Sequence, residues 1–442
     1  MKAGFAKVDI TPRTGVELCG FGPYLNRHST AVRDNLWAKA FALEVGGEKI
    51  VLASCDLIGL QADVSDKIKS IVQDASGLPE SAIMIHCIHT HSGPATAEMN
   101  GWGVMDYPYM EILPYKIAEA CISALNNMRH AEISYAEVPC EGIGLNRQYD
   151  KDAPPLKDVL DEKWRPAKPE LTDTTCHVIK VESAGTIIGF MVYFGCHPVV
   201  CCQQCHYIHG DFPGVALNNL EREFPGATGL FLQGAQGDVN SCVVHKPEQD
   251  SLLALDIIAA RFERSVRTGL SRAVPIVVDK LKSAIIREKF TEMNIELGEL
   301  KKMLAEKEAI LHKASASDEA HESRMAMVFI RALRKIIDLV EKGEPTYPEA
   351  PMQGFRIGPI ALLGGPFETF QAIKNDVRKN ARSPIPLVMS FTNDYFGYAP
   401  DRQTAEGYAA KTVPMILGHL PFENIHDELV NAFLKLEAVL ND

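Results

Sequence analysis

The stretch Ile85 to Pro94, Ile-His-Cys-Ile-His-Thr-His-Ser-Gly-Pro, concentrates residues able to do chemistry. A strand-prone run over 82–88 ends in a His-rich tip and breaks at Gly93-Pro94. Side chains alternate across a strand, so the spacing predicts His89 and His91 on one face and His86 on the other. Two imidazoles fixed in direction at a strand end are what a transition-metal site needs, neutral histidine being a good zinc ligand. A hydrogen-bonded histidine pair in a polar loop satisfies the same spacing, because short motifs recur by chance. Two further strands end in comparable tips. Gly195-Cys-His-Pro198 places His197 at the end of a strand over 186–194, with Pro198 forbidding continued pairing. A strand over 229–232 opens into Gly234-Ala-Gln-Gly-Asp-Val-Asn240, where small residues let backbone approach a ligand closely. Asp56, ending a strand over 49–57, is placed either to orient a ligand histidine or to cap the following loop. Convergent strand ends are the usual place for sites in α/β folds.

The elements that must position these tips read as strands over 4–10, 36–45, 49–57, 131–138 and 387–391, with a hairpin formed by 175–182 and 186–194. Helices are predicted over 64–72, 110–127, 214–223, 251–268 and 427–440. The strand–helix–strand order around His89 predicts an α/β fold with a mixed β-sheet core and flanking helices. Residues 292–342 read as a helical hairpin, with helices over 300–311 and 326–341 broken at Ser315 to Asp318. The charged, Pro-rich stretch 150–173 reads as a surface excursion. His130, His312 and His321 are expected on the surface, whereas His206, His209 and His245 are further site candidates.

A chain of 442 residues exceeds the usual single-core limit, so length alone admits one large domain or two. A net charge of −12 argues against nucleic acid or an anionic membrane as the main partner. No segment resembles a signal peptide or a membrane span. Eleven cysteines, an odd number with no framework spacing, point to free buried thiols and a cytoplasmic setting. Cys201, Cys202 and Cys205 lack a second pair at zinc-finger spacing, so no dedicated cysteine site is expected.

Several clusters, taken together, resemble the neutral non-lysosomal ceramidases and their bacterial relatives. They are Ala3-Gly-Phe-Ala-Lys-Val-Asp-Ile-Thr-Pro12, His89-Thr-His-Ser-Gly-Pro94, Leu145-Asn-Arg147, Gly195-Cys-His-Pro198, His209-Gly-Asp-Phe-Pro213, Gly237-Asp238-Val239, Pro366 to Glu368 and Tyr395 to Tyr398. They run in family order from residue 3 to about residue 410, which implies a single catalytic domain over 1–442 with the hairpin inserted. The resemblance implies an amidase with one zinc ion (Zn2+) held by His89, His197, Glu368 and Tyr398, with Tyr395 as the competing tyrosine. It also implies that His91 and Arg147 face the scissile amide. Glu368 sits in Gly365-Pro-Phe-Glu368, a departure from the family's usual Pro-Gly-Glu. The family's serine after Gly-Asp-Val is Asn240 here, followed by Ser241. With the last motif so near residue 442, the C-terminal β-sandwich domain of true ceramidases is not expected here.

The expected chemistry is therefore hydrolysis of a small soluble amide or ester by metal-activated water. His91 is the expected general base or oxyanion donor, and Arg147 the clamp on a carbonyl or carboxylate. Asn240 is the expected donor to the developing oxyanion. Asp238 and Asp211 are expected to orient ligands or shuttle protons, or simply to make Asx turns. Two other readings compete. One is a binuclear amidohydrolase on a β/α barrel that starts from His89 and His91. The other is a catalytically silent homologue that kept the metal scaffold and binds a ligand.

Overall fold

Alternation along each strand sorts side chains into an inner and an outer layer, and this sorting organises the molecule. The computed structural model describes residues 1–149 and 154–442, so the start of the predicted excursion at 150–153 lies outside the described residues. The first sheet holds β1 (Lys2–Asp9), β2 (Trp37–Val45), β3 (Glu48–Cys55) and β4 (Ile83–Cys87) in the order β4-β3-β2-β1, edged by a short bridge at Arg129–His130. β1, β2 and β3 run antiparallel, and β4 joins β3 in parallel after helix α1 (Ala62–Ser76). Along β2, Phe41 and Leu43 face inward, while Ala38, Ala40 and Ala42 face α1 and helix α2 (Tyr107–Asn126). Alanine on that face lets the helices lie close.

The second sheet repeats this plan. It contains β5 (Glu132–Pro139), then the short β6 (Gly144–Asn146) set apart, and the hairpin β7 (Thr175–Ser183) and β8 (Thr186–Phe194). Helix α3 (Asp211–Glu223) leads to β9 (Thr228–Gln233), which pairs in parallel with β8. β10 (Val239–Ser241) returns to pair with β6, and helix α4 (Glu248–Arg272) covers the outer face.

The third sheet pairs Leu281–Glu288, Ala350–Ile357, Ile360–Gly364 and Ile385–Met389 in that order. Its elements follow one another as β11 (Leu281–Glu288), helices α5 (Leu297–Leu311) and α6 (His321–Lys342), β12 (Ala350–Ile357), β13 (Ile360–Gly364), the short β14 (Glu368–Thr369), helix α7 (Gln371–Asn380) and β15 (Ile385–Met389). The short β16 (Tyr398–Ala399) pairs with β14, and helices α8 (Tyr408–Leu417) and α9 (Ile425–Asn441) complete the chain. β13 and β15 are parallel. Inner faces of all three sheets share one core that includes Phe41, Leu52, Met191, Leu232, Phe355 and Leu362. Each fully buried side chain of this size stabilises by about 1.5–3 kcal/mol. The fold is mixed α/β, as expected, and three such sheets are not the eight β/α units that a binuclear amidohydrolase barrel requires.

Besides the short strands β6, β10, β14 and β16, two longer elements went unpredicted. β11 is an edge strand whose burial does not alternate cleanly, and α8 carries Pro414 inside it, which reads as a helix breaker. The predicted helix at 214–223 starts earlier, at Asp211. The hairpin α5–α6 matches expectation and packs Leu300, Leu333 and Ile336 in a small core with Met415 of α8.

One residue ties the sheets together at their shared end. Gln233, fully buried at the end of β9, accepts from the Cys196 N–H at 3.3 Å and donates from Nε2 to the Ile88 carbonyl at 2.9 Å. Its own N–H donates to His86 Nε2 at 2.9 Å, and its carbonyl accepts from the Ser390 N–H at 3.0 Å. It therefore touches chain leaving all three sheets. Each such bond contributes about 1 kcal/mol, and each would cost more than that if left half-made in the interior. His86, near the end of β4, is a neutral keystone whose pKa burial pushes down to about 3.

Candidate metal centre

Each sheet contains one parallel pair, β3–β4, β8–β9 and β13–β15, and the segments that leave these pairs at their C-terminal ends meet. His89 follows β4. The strand stops at Cys87, so alternation along a strand is not what aims His89 and His91; this corrects the sequence-based argument. His89 instead adopts a left-handed backbone (φ +70°), with its N–H on the Leu57 carbonyl at 2.9 Å. A non-glycine residue held there stores strain of the kind that clusters at functional sites. Its ring stacks on Phe391 at 4.0 Å, and Nδ1 donates to the Ile58 carbonyl at 2.6 Å. His197, which follows β8, is held in the same way, with Nδ1 donating to the Gln236 carbonyl at 2.7 Å.

Those two carbonyls fix both tautomers. With hydrogen on Nδ1, each Nε2 presents a lone pair, and both lone pairs face Glu368. Glu368 Oε2 lies 3.0 Å from His197 Nε2 and 3.6 Å from His89 Nε2. Burial pushes the His89 pKa down to about 4 and that of His197 in the same direction, so both rings are neutral near pH 7. Burial alone would raise the Glu368 carboxyl, but His89, His197 and Arg147 hold it below the usual carboxylate range. Three buried acceptors thus converge with no proton of their own to share between them, which is the donor set of a cation and fits a metal ion. His91 adds a fourth nitrogen. Its Nε2 is 3.1 Å from His89 Nε2, and ligand atoms of His89, His91 and His197 all lie within 4.8 Å of one another. Gly20, at φ +109°, makes room for that ring, since a Cβ there would sit 2.5 Å from the imidazole.

The third sheet delivers Glu368 and the tyrosines. β14 pairs with β16, setting Glu368 beside Tyr398 in the ladder. Tyr395 donates its hydroxyl to Glu368 Oε1 at 2.8 Å. Burial raises the Tyr398 phenol well above its ordinary value, with Arg147 opposing and Glu368 adding to the rise. Gly237 packs under this strand, where a Cβ would stand 2.3 Å from the Glu368 carbonyl oxygen.

Arg147 follows β6 and lies over the Tyr398 ring at 5.0 Å. One guanidinium nitrogen donates to the Gly237 carbonyl at 2.6 Å and another to Asn240 Oδ1 at 3.4 Å. Asp238 is turned away from the histidines. Its oxygens accept from Asn146 Nδ2 at 2.8 Å and from the Gln371 N–H at 2.9 Å, clamping the β6–β10 pair to α7. Ser241 cannot substitute for the serine missing at Asn240, because its hydroxyl is committed to the Val243 carbonyl at 2.7 Å. Asp56 does not orient a ligand histidine. It accepts from the Trp37 N–H at 2.9 Å, and the Ile58 carbonyl does the orienting.

Of the remaining histidines, His130, His312 and His321 are exposed, as expected. His206 is half-buried with its ring on the His28 carbonyl, and His245 is exposed beside Phe21. His209 joins Cys201 and Asp211 in a second tight group of ligand-type atoms. There, however, Asp211 accepts from the N–H groups of Val200, Cys201 and Phe212, and His209 Nδ1 accepts from the Asp211 N–H at 3.1 Å. All eleven cysteines are free, buried thiols. Sequence reasoning missed the carbonyls of Ile58 and Gln236 and the bracing by Gln233. The first two are backbone groups with no residue signature, and a lone glutamine in an apolar strand carries no motif.

A family model described as neutral/alkaline non-lysosomal ceramidase, N-terminal, matches residues 1–243. No curated protein matches the sequence. Among solved structures the chain is similar to a neutral ceramidase from Pseudomonas aeruginosa, at 19% identity and a TM-score of 0.76, covering 100% of this chain and 74% of that one. It is also similar to a ceramidase complexed with C2, at 18% identity and a TM-score of 0.75, covering 100% of this chain and 75% of that one. At such identities the likeness shows the fold. Among the described residues no helix is long and apolar enough to cross a membrane. With the family model matching more than half of its length, the chain belongs to the neutral/alkaline non-lysosomal ceramidase family, hydrolases that act on an amide bond.

Proposed function

We propose that this chain is a zinc-dependent hydrolase of a non-peptide amide bond in a small soluble substrate, with an ester as the chemically equivalent target. The observation that carries this reading is the convergence of the His89 and His197 Nε2 lone pairs on an ionised, buried Glu368. Those three residues and Tyr398 would hold one zinc ion, whose chemistry is to polarise a carbonyl and to supply a nucleophile near neutral pH. Tyr395 acts as a brace through its bond to Glu368, and Tyr398, beside Glu368 in the ladder, would be the fourth ligand.

The chain's own groups divide the remaining work. His91 Nε2, beside the ligand nitrogens and outside the carbonyl-held pair, takes a proton from the attacking water and returns it to the leaving nitrogen. Arg147 holds a carbonyl or carboxylate of the substrate through its free Nε–H edge, while its other nitrogens fix it to Gly237 and Asn240. Asn240 offers Oδ1 to Arg147, which orients its Nδ2 as donor to the developing oxyanion. Asp238 positions Asn146 and Gln371, and so the loop that carries Arg147. The reading treats 1–442 as one catalytic domain with the hairpin inserted. The buried free thiols and the charge of −12 support a cytoplasmic setting and a substrate other than nucleic acid.

The test is metal content of protein purified without added metal, with turnover measured on a panel of amides and esters. About one zinc per chain, lost in His89→Ala and His197→Ala, with His91→Ala keeping zinc and losing turnover, is the expected result. Two metals per chain would favour a binuclear centre. Zinc without turnover of any amide or ester would favour a silent homologue, and no metal in the folded protein would end the proposal.

A further inference from the structure

Three histidines meet at the candidate centre, and two of them are held through a ring nitrogen. His89 and His197 give Nδ1 to the Ile58 and Gln236 carbonyls, at 2.6 and 2.7 Å. His91 has no such anchor. Its Nδ1 is buried without a hydrogen-bond partner among the described residues. The direction of this ring is therefore set by what packs against it. Gly20 is one neighbour, where a Cβ would stand 2.5 Å from the imidazole. Phe21 is the other, edge-on with ring centroids 5.2 Å apart.

One buried cation supports both neighbours. Arg27 is 3% exposed, and its guanidinium lies over the Phe21 ring at 4.7 Å. Burial pushes its pKa down to about 10, so it stays charged near pH 7. A guanidinium carries its N–H donors in a rigid fork, and here the whole fork is in use. Nε donates to the Gln203 carbonyl at 3.1 Å. Nη1 donates to the Cys19 carbonyl at 3.2 Å and to the His91 carbonyl at 3.4 Å. Nη2 donates to the His91 carbonyl at 3.3 Å and to the Cys205 carbonyl at 3.2 Å. Every one of these bonds ends on a main-chain oxygen. A buried charge with no carboxylate beside it is costly, so a residue that only filled space here would be neutral. The carbonyls chosen show what the charge holds. Cys19 precedes the Gly20-Phe21 pair, His91 carries the ring, and Gln203 and Cys205 lie in the turn after His197.

We propose that Arg27 is the positioning residue for His91, one guanidinium gripping both the segment that carries the ring and the segment the ring packs against. It acts through Phe21 and the main chain and touches no reacting atom. The proposal rests on the hydrolase reading above for its effect on turnover, but not for its effect on the ring. Lysine cannot replace it, because an ammonium is a single point and cannot reach carbonyls spread around a planar fork.

The test is Arg27→Lys and Phe21→Leu in the full chain, read by kinetics, zinc content and the ring-nitrogen NMR signals of isotope-labelled histidine, with His91→Ala assigning the His91 signal. Arg27→Lys keeps the charge and loses the fork. Its kcat is expected to fall about 10–100-fold, with KM within about twofold and zinc content unchanged. The His91 signal should shift or broaden while those of His89 and His197 stay. Phe21→Leu leaves the donors of Arg27 in place and should move the same signal with a smaller loss of kcat. Should Arg27→Lys fail to fold, Phe21→Leu decides on the same readouts. Loss of zinc, or an equal change in all three ring signals, marks a general structural role and overturns the proposal. So does a His91 signal that neither variant moves. A His91 signal that moves alone in a protein that hydrolyses no amide or ester sustains the positioning and removes the chemistry. Hydrolysis with kcat and the His91 signal indifferent to both substitutions removes the positioning alone.

Discussion

Among the described residues, two tight groups of ligand-type side chains stand out. In both His89/His91/His197 and Cys201/His209/Asp211, the nearest ligand atoms lie within 4.8 Å of each other. They differ in which end of the hydrogen bond the backbone supplies. Around the first group the backbone accepts. The Ile58 and Gln236 carbonyls take the histidine hydrogens and turn both lone pairs inward onto Glu368. Around the second group the backbone donates. Three N–H groups fill the Asp211 oxygens, and the Asp211 N–H takes the His209 Nδ1 lone pair. Proximity of the right residue types is common to both. What separates a cation site from a braced turn is whether the lone pairs are left over.

Removing a lone pair from the first group should therefore have the largest effect. His197→Ala is expected to lose the metal and to lower turnover on the order of 10³-fold, the equivalent of several kcal/mol of Lewis-acid stabilisation, read by metal analysis and kcat/KM. An activity loss with metal retained would break the comparison. Gly237→Ala leaves every ligand in place but forces a Cβ to within 2.3 Å of the Glu368 carbonyl oxygen. Metal affinity should fall about 10–100-fold by competition with a chelator, as for groups that orient ligands. Gly20→Ala, by contrast, meets the His91 ring and should lower kcat with metal content unchanged.

The second group predicts the opposite pattern. Asp211→Asn should leave metal content untouched and cost about 1–3 kcal/mol of stability at pH 4, read by denaturant titration. Its pH dependence has a definite sign. Burial, against hydrogen bonds from Phe212, Cys201 and Val200, raises the Asp211 pKa to about 6. The folded value thus lies above the unfolded carboxylate value of about 3.9. The stabilising contribution is complete below the unfolded pKa and is lost as pH rises through about 6, so the wild type should lose stability relative to Asp211→Asn between pH 4 and 7. The smallest effect belongs to the hairpin. Arg334 pairs with Glu308 at 2.7 Å on an exposed surface, and Arg334→Ala should change stability by at most about 0.5 kcal/mol with no effect on metal.

How much of this was legible beforehand follows from what each feature is made of. The hairpin at 175–194, the tips at His89 and His197 and the α5–α6 pair are written in side-chain periodicity and breakers, and the structure keeps them within a few residues. The His89 geometry was anticipated for a different reason, since a left-handed backbone rather than strand alternation turns the ring. Asp56 and Asp238 were legible as polar residues at strand ends but not by their partners: the Trp37 bond is to a backbone N–H with no residue signature, and Asn146 and Gln371 come from segments far from Asp238 in sequence. The grip of Arg27 on the His91 segment was invisible, because its donors all meet main-chain carbonyls from distant parts of the chain.

The bracing by Gln233 has a consequence for how the protein comes into being. His89, His197 and Glu368 each leave a different sheet, and His197 and Glu368 stand 171 positions apart. No partial product of folding, and no single docked pair of sheets, presents the whole set. Such long loops close slowly, and the reward for closing them arrives only once the third sheet has docked. A metal that binds only the finished arrangement stabilises it by mass action and leaves earlier intermediates unrewarded. On the proposed metal reading, uptake would therefore be a late event, and its rate a clock for the arrival of the last sheet.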